Sequence, residues 1–219
     1  MTAPHSITEA ERMDRHYRFQ RYIYDATRTH YLIGRGRLIR DLAPPQHGTV
    51  LEIGCGTAWN LVRAATLYPT VRFHGLDISN AMLETAAAAV ARHGLEGRVV
   101  LRQGDAAGFD AELAFGRRRF DRVYFSYALS MIPAWKAALE QAAHCVAHGG
   151  SLHIIDFGPC DELPPAFKRA LYAFLAHYTV YPRTELESHL KSLASRHAFS
   201  LRFENIYRTY ASHAVLTLQ

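Results

Sequence analysis

Cysteine is scarce and poorly spaced in this sequence. Its three copies, Cys55, Cys145 and Cys160, are odd in number and form no C-x-x-C pair. That argues against a disulfide framework or a cysteine-based zinc site. Long apolar runs are also missing. The longest are of strand length, well short of the ~20 residues a membrane helix needs. The N-terminus lacks a cationic start followed by an apolar run, so no secretory signal is expected and the expected location is cytoplasmic. The thirteen histidines are scattered and include no His-Glu-x-x-His run, so no metal site is expected. No internal repeat or low-complexity segment is visible.

What remains is an ordinary globular composition. The chain has 219 residues, 49% of them hydrophobic, near the upper end of one domain. Net charge is +5, and much of it is local. Residues 1–40 hold eight arginines against Glu9, Glu11, Asp14 and Asp25, a balance of +4. Such a segment either forms a solvated helix face or attracts an anionic surface, and an anionic membrane is one expected partner. The expected organisation is a single domain over 1–219, with a helical cap over 1–46 and a core over 47–219. The break falls at Pro44-Pro45-Gln46-His47-Gly48, where tandem prolines stop a helix and glycine permits a turn. Before it, helices are expected over 6–30 and 31–42.

After the break, short apolar strands alternate with helices. Strands are expected at 49–53, 71–76, 99–103, 120–125 and 151–157. Helices are expected at 58–67, 79–93 and 133–146, the second opened by Ser79 as N-cap and stopped by Gly94. Gly149-Gly150 is read as the turn before the fifth strand. This alternation implies a parallel sheet with helices on both faces. Two helices, 164–177 and 183–196, precede strands at 200–207 and 211–218. The short link between those last strands makes them antiparallel.

The first strand ends in Glu52-Ile53-Gly54-Cys55-Gly56-Thr57. A strand, a glycine turn and a helix form a ligand site at the carboxyl end of a sheet, and glycine admits close approach of the ligand. Position 59 is Trp, so the third glycine of the dinucleotide fingerprint G-x-G-x-x-G is missing. Glu52 would repel a pyrophosphate but favour an ammonium. Asp77, ending the second strand, can accept from two vicinal ribose hydroxyls. Asp105, ending the third, can accept from an exocyclic adenine amine, with the Ala106 amide beside it.

The runs Val50-Leu51-Glu52-Ile53-Gly54-Cys55-Gly56, Gly75-Leu76-Asp77-Ile78-Ser79 and Gly104-Asp105-Ala106 resemble the first three cofactor motifs of class I S-adenosylmethionine-dependent methyltransferases. The resemblance covers about residues 48–219. It implies a Rossmann-like α/β fold with a seven-stranded, mostly parallel sheet, an antiparallel last strand and helices on both faces. It also implies S-adenosylmethionine as cofactor and S-adenosylhomocysteine as product. Ile78 and Met82 would then pack on adenine, and Ser126 would meet the methionine end. Asn60 joins Glu52, Gly54, Cys55, Gly56, Asp77, Asp105 and Ala106 as an expected cofactor residue. Ala58 stands where that family usually has a third glycine.

The acceptor must be read elsewhere. Residues 125–133 lack the Asn/Asp-Pro-Pro-Tyr/Phe run of nucleic-acid nitrogen methylases, so no nucleic-acid partner is expected. Tyr22-Ile23-Tyr24-Asp25-Ala26-Thr27-Arg28, Tyr31-Leu32-Ile33-Gly34-Arg35, residues 125–133 and Ile206-Tyr207-Arg208-Thr209-Tyr210-Ala211 resemble bacterial betaine-lipid N-methyltransferases of the BtaB type. That resemblance implies trimethylation of the homoserine amine of diacylglyceryl-homoserine, and a partner enzyme that makes this lipid. The rival acceptors are phosphatidylethanolamine or a small amine, and the rival class is a non-catalytic cofactor-binding module. Such an amine must lose a proton, to a phenolate, a carboxylate or water. Tyrosine faces suit a sulfonium and a quaternary ammonium by cation–π attraction. Tyr24, Tyr127 and Tyr207 are the catalytic candidates. Tyr31 adds an aromatic face near the cofactor, and Arg35 and Arg28 could grip a carboxylate.

Overall fold

The computed structural model describes residues 31–219. The expected helix over 6–30, Tyr24, Arg28 and most of the arginine-rich stretch lie outside the described residues. From the amino end of the described part run α1 (Arg35–Leu42), β1 (Thr49–Ile53), α2 (Trp59–Leu67), β2 (Arg72–Asp77), α3 (Asn80–Arg92), β3 (Val99–Gln103) and α4 (Ala111–Phe115). Then follow β4 (Phe120–Ser126), α5 (Trp135–His144), β5 (Val146–Phe157), α6 (Pro165–His177), α7 (Leu186–Arg196), β6 (Phe199–Ile206) and β7 (Ala211–Leu218).

The sheet order is β3-β2-β1-β4-β5-β7-β6. β7 runs antiparallel to both β5 and β6, and the other described pairings are parallel. This is the Rossmann-like architecture of class I methyltransferases. The alternation along β1 and β4 divides the core by period two. Val50, Tyr124 and Ile155 pack with Leu38, Leu61 and Ala86 on one face. Leu51, Ile53, Phe125 and Ile154 pack with Trp135, Leu139 and Leu190 on the other. No helix among the described residues is long and apolar enough to cross a membrane.

Local chemistry accounts for most boundaries. Ser79 caps α3 by accepting the Met82 amide at 3.3 Å, and Gly94 turns the chain beyond it with φ +63. Three expectations are corrected. The helix expected over 31–42 starts only at Arg35, because Gly34 sits in the left-handed region at φ +85, where a Cβ would lie 2.6 Å from the Ile155 side chain. The Gly149-Gly150 pair does not precede β5 but interrupts it. Val146 pairs Phe120, Ser151 pairs Arg122, and the surplus residues between them bulge. The five-residue α4, unforeseen, is held by Asp110, whose side chain accepts the Glu112 and Leu113 amides at 2.8 and 3.0 Å.

Burial pushes the His74 imidazole down to about 4 and that of His153 down to about 3. Both are neutral in the fold, whereas the unfolded chain protonates them below their ordinary value of 6.5. Stability is therefore full above pH 6.5 and falls as the medium is acidified from there. Urea denaturation between pH 7 and pH 4 should show this loss, and His153→Gln should flatten the slope.

Candidate active site

β1 and β4 lie side by side, but the sheet order reverses between them. The segments leaving their carboxyl ends diverge, and a crevice opens there. About 860 Å³ of space lies within it, the open solvent at its mouth included. One wall comes from the ends of β1, β2 and β3: Gly54, Gly56, Asp77, Ile78, Met82, Asp105 and Ala106. The other comes from the exit of β4: Ser126, Tyr127 and Ala128, then Met131 to Ala134.

The loop after β1 is shaped by backbone conformation. Gly54 and Gly56 both take positive φ, +75 and +53. A Cβ on Gly54 would lie 2.6 Å from that of Ala128, whereas one on Gly56 would meet no protein atom within 4 Å. Gly56 therefore leaves room for a ligand to approach its backbone. Ala58 also adopts a left-handed conformation, φ 63, and is fully buried. A non-glycine residue there costs roughly 1–2 kcal/mol, which accounts for the usual glycine at this place. The Cys55 side chain turns away from the crevice, toward Gly75, and burial pushes its thiol well above the ordinary range.

Asp77 braces this loop. One carboxylate oxygen accepts the Gly56 amide at 2.8 Å and the other the Ser79 amide at 2.9 Å. Asp105 accepts the Ala107 amide at 2.9 Å, which orients it at the end of β3. Both carboxylates line the crevice.

Glu52 behaves differently. It is fully buried behind the glycine loop and does not itself line the crevice. Its two oxygens accept from Asn60 Nδ2 at 2.7 Å and Tyr124 hydroxyl at 2.9 Å. Tyr124 is its register partner across β1 and β4, which puts both side chains on one sheet face. Burial pushes Glu52 up to about 8, against the opposing pull of the two hydrogen bonds and the Arg35 charge. Arg35 is itself buried, with Nε donating to the Leu32 carbonyl at 3.2 Å and the guanidinium stacked 3.7 Å over the Trp59 ring.

The β4 exit is strained and firmly held. Tyr127 takes φ 55, a true outlier for an aromatic residue. Its amide donates to Ile155 at 2.8 Å and its hydroxyl to the Ile33 carbonyl at 2.6 Å. Burial holds its phenol well above the ordinary range. Tyr127 therefore offers the crevice a ring rather than a base. Beyond it, Asp156 accepts the Ser130 amide at 3.1 Å. Arg183 donates to the carbonyls of Leu129 and Ile132 at 3.0 and 2.8 Å. Tyr124, Asp156, Arg183 and the lining residues Met131 and Ile132 escaped sequence reasoning, because only the folded chain brings residues this far apart together.

Of the sequence candidates, Gly54, Gly56, Asp77, Ile78, Met82, Asp105, Ala106, Ser126 and Tyr127 line the crevice. Glu52, Cys55, Asn60 and Arg35 lie behind its wall. Tyr31 and Tyr207 stand beside it: Tyr31 stacks on Phe157, and Tyr207, half-exposed, approaches Gly34. Among the described residues, no group of three His, Cys, Asp or Glu side chains is placed to hold a metal ion.

Residues 50–150 match the family model described as a methyltransferase domain. A phosphatidylethanolamine N-methyltransferase of Cereibacter sphaeroides is 34% identical over 129 residues, 58% of this chain and 60% of that protein. An O-methyltransferase of Penicillium expansum is 30% identical over 126 residues, 56% of this chain and 44% of that protein. The chain thus matches less than two thirds of the length of either relative. The solved phosphoethanolamine N-methyltransferase 2 of Haemonchus contortus, in complex with S-adenosylmethionine, superposes with a TM-score of 0.61 at 22% identity, covering 78% of this chain and 38% of that one. Residues 50–150 thus resemble a methyltransferase domain, and the cofactor to set against the crevice is S-adenosylmethionine.

The crevice suits that cofactor. Gly56 leaves its Cβ direction open, Asp77 and Asp105 can take ribose hydroxyls and the adenine amine, and Ile78 and Met82 can cover the base. Ser126 Oγ, at the end of β4, is buried without a hydrogen-bond partner among the described residues. When bound, the cofactor supplies an electrophilic sulfonium methyl. An ammonium brought near Glu52 favours its charged form, whereas without one the carboxyl keeps its proton at neutral pH.

Two outcomes follow. In the cofactor-free protein, the contribution of Glu52 to stability is full below its ordinary value of 4.5 and lost as pH rises through about 8. Glu52→Gln should therefore raise the melting temperature relative to the parent above pH 8, while weakening S-adenosylhomocysteine binding about tenfold or more in calorimetry. Tyr127→Phe should lose about 1 kcal/mol in urea denaturation, for the bond to Ile33, yet keep the shape of the pH–rate profile. Loss of the rise of rate with pH would make the phenol a base.

Proposed function

We propose that this chain transfers methyl groups to the amine of a lipid headgroup, and that the lipid is diacylglyceryl-homoserine, methylated three times to a betaine lipid. The observation that supports this most is where the betaine-lipid-like segments meet. The Tyr127 hydroxyl reaches Ile33, and the Tyr210 hydroxyl donates to the Tyr31 carbonyl at 2.9 Å. Gly34 abuts Ile206 and Tyr207. Segments 31–35, 125–133 and 206–211, distant in sequence, thus converge at the β4 exit.

The chemistry of that wall favours nitrogen over oxygen as acceptor. From Ser126 to Ala134 it carries no carboxylate, imidazole or amine. A protonated amine entering there must shed its proton to water, and the site contributes by orienting the lone pair toward the methyl. In this reading Tyr127 would meet a growing cationic headgroup with its ring, an attraction of about 0.5–2 kcal/mol. An acceptor site lined by rings and aliphatic chains also tolerates the bulk of the second and third methyl groups.

A second reading, phosphatidylethanolamine as acceptor, is favoured by the relative from Cereibacter sphaeroides. The partner enzyme that supplies the homoserine lipid, and contact of the arginine-rich residues 1–40 with an anionic membrane, belong to the same proposal.

Incubation with methyl-labelled cofactor and each lipid, read by mass spectrometry, separates the acceptors. The homoserine lipid should gain three methyl groups, with a rate that rises with pH toward the pKa of its amine. Label on phosphatidylethanolamine alone would transfer the assignment to that lipid, and label only on hydroxyl acceptors would refute amine methylation.

A further inference from the structure

A helix packed on a sheet normally buries one full stripe. α6 does not. Of its thirteen residues only Leu175 is buried, although the sequence PAFKRALYAFLAH is rich in apolar side chains. Phe167 and Phe174 are 49% and 44% exposed, and with Ala170 between them they form an outward stripe at i, i+3 and i+7. Tyr181 and Tyr207 are also half-exposed. Exposed aromatic surface of this kind marks an interaction site rather than solvent-facing structure.

Two observations indicate what covers it. The first is charge. α6 carries Lys168 and Arg169 and no carboxylate. Lys168 pairs with Asp161 at 2.6 Å, while Arg169 is exposed. The second is continuity with the active site. The Tyr127 ring, which lines the crevice, packs edge-on against Phe157 at 4.8 Å. Phe157 stacks on Tyr31 at 6.5 Å, and Tyr31 meets Phe174 edge-on at 5.8 Å. A continuous run of rings therefore joins the acceptor wall to the outward face of α6. An apolar helix face flanked by an exposed arginine and linked in this way to the crevice has the character of an interfacial helix.

We propose that the outward face of α6 docks this chain on an anionic lipid bilayer, a proposal that rests on the lipid-acceptor reading above. The helix lies along the headgroup boundary, with Phe167 and Phe174 entering it and Arg169 meeting lipid phosphate. A headgroup then enters the crevice past Tyr127 while its acyl chains stay in the bilayer.

The test uses the full chain and sucrose-loaded vesicles of phosphatidylcholine, with and without phosphatidylglycerol. The parent protein should sediment with the anionic vesicles and far less with the neutral ones. The double variant Phe167→Glu, Arg169→Glu should lose roughly tenfold or more of that binding. Unchanged thermal stabilisation by S-adenosylhomocysteine certifies its fold. Methylation of a short-chain, water-soluble acceptor should be equal in the two proteins, while methylation of the vesicle-borne lipid falls in the variant. Equal vesicle binding by the two proteins would overturn the proposal, as would a parent that binds no vesicle. So would a parent dimer that the variant dissolves in light scattering while vesicle binding stays the same. If no short-chain amine is methylated but vesicle binding depends on α6 as stated, the acceptor reading fails and the docking surface stands.

Discussion

Two adjacent parallel strands whose chains leave in opposite directions govern this molecule. Between β1 and β4 the sheet order reverses, so among the described residues a gap opens beyond their carboxyl ends. The gap is useful only if the backbone around it holds its shape. That shape rests on the Asp77 carboxylate, which links the Gly56 amide of one loop to the Ser79 amide of the next. The left-handed conformations at Gly54, Gly56 and Ala58 pack into one turn, and the Ala58 strain is borne by burial around it.

Electrostatics then divides the crevice into two unlike halves. The half formed by the ends of β1, β2 and β3 has carboxylates: Asp77 and Asp105 in its wall and Glu52 behind it. Because Glu52 is buried and, among the described residues, accepts from two neutral donors, its charge state responds to any charge brought near it. The half at the β4 exit presents none. Its acid, Asp156, is spent on holding Ser130, and its cation, Arg183, on the carbonyls of Leu129 and Ile132. These two side chains position the wall and do not face the crevice. The result is a wall at the β4 exit that is held in shape and presents no carboxylate, imidazole or amine to the crevice.

Much of this was legible from residue order. Strand, glycine turn and helix repeat with clear punctuation, and the Ser79 cap, the Gly94 stop and the closing antiparallel pair are all local signals. So were the acids at the ends of the first three strands. What stayed illegible depends on distance. That Glu52 is buried follows from Tyr124, 72 residues away, coming into register with it. Gly34 reads as a tolerated helix glycine until β5 is seen to press against it. Gly149-Gly150 has the composition of a turn and serves as a bulge, because Phe120 has already paired with Val146. α4 is too short to show periodicity. The stacking of the Arg35 guanidinium on Trp59 likewise could not be read from residue order.

The account depends on the crevice at the strand reversal being the nucleoside site, with Asp77 both bracing the loop and meeting the ribose. Isothermal titration with S-adenosylhomocysteine, on the parent and on Asp77→Asn, tests this directly. The parent should bind one equivalent. The variant, which keeps shape and loses charge, should bind at least about tenfold more weakly. Equal affinity in the two proteins would contradict it.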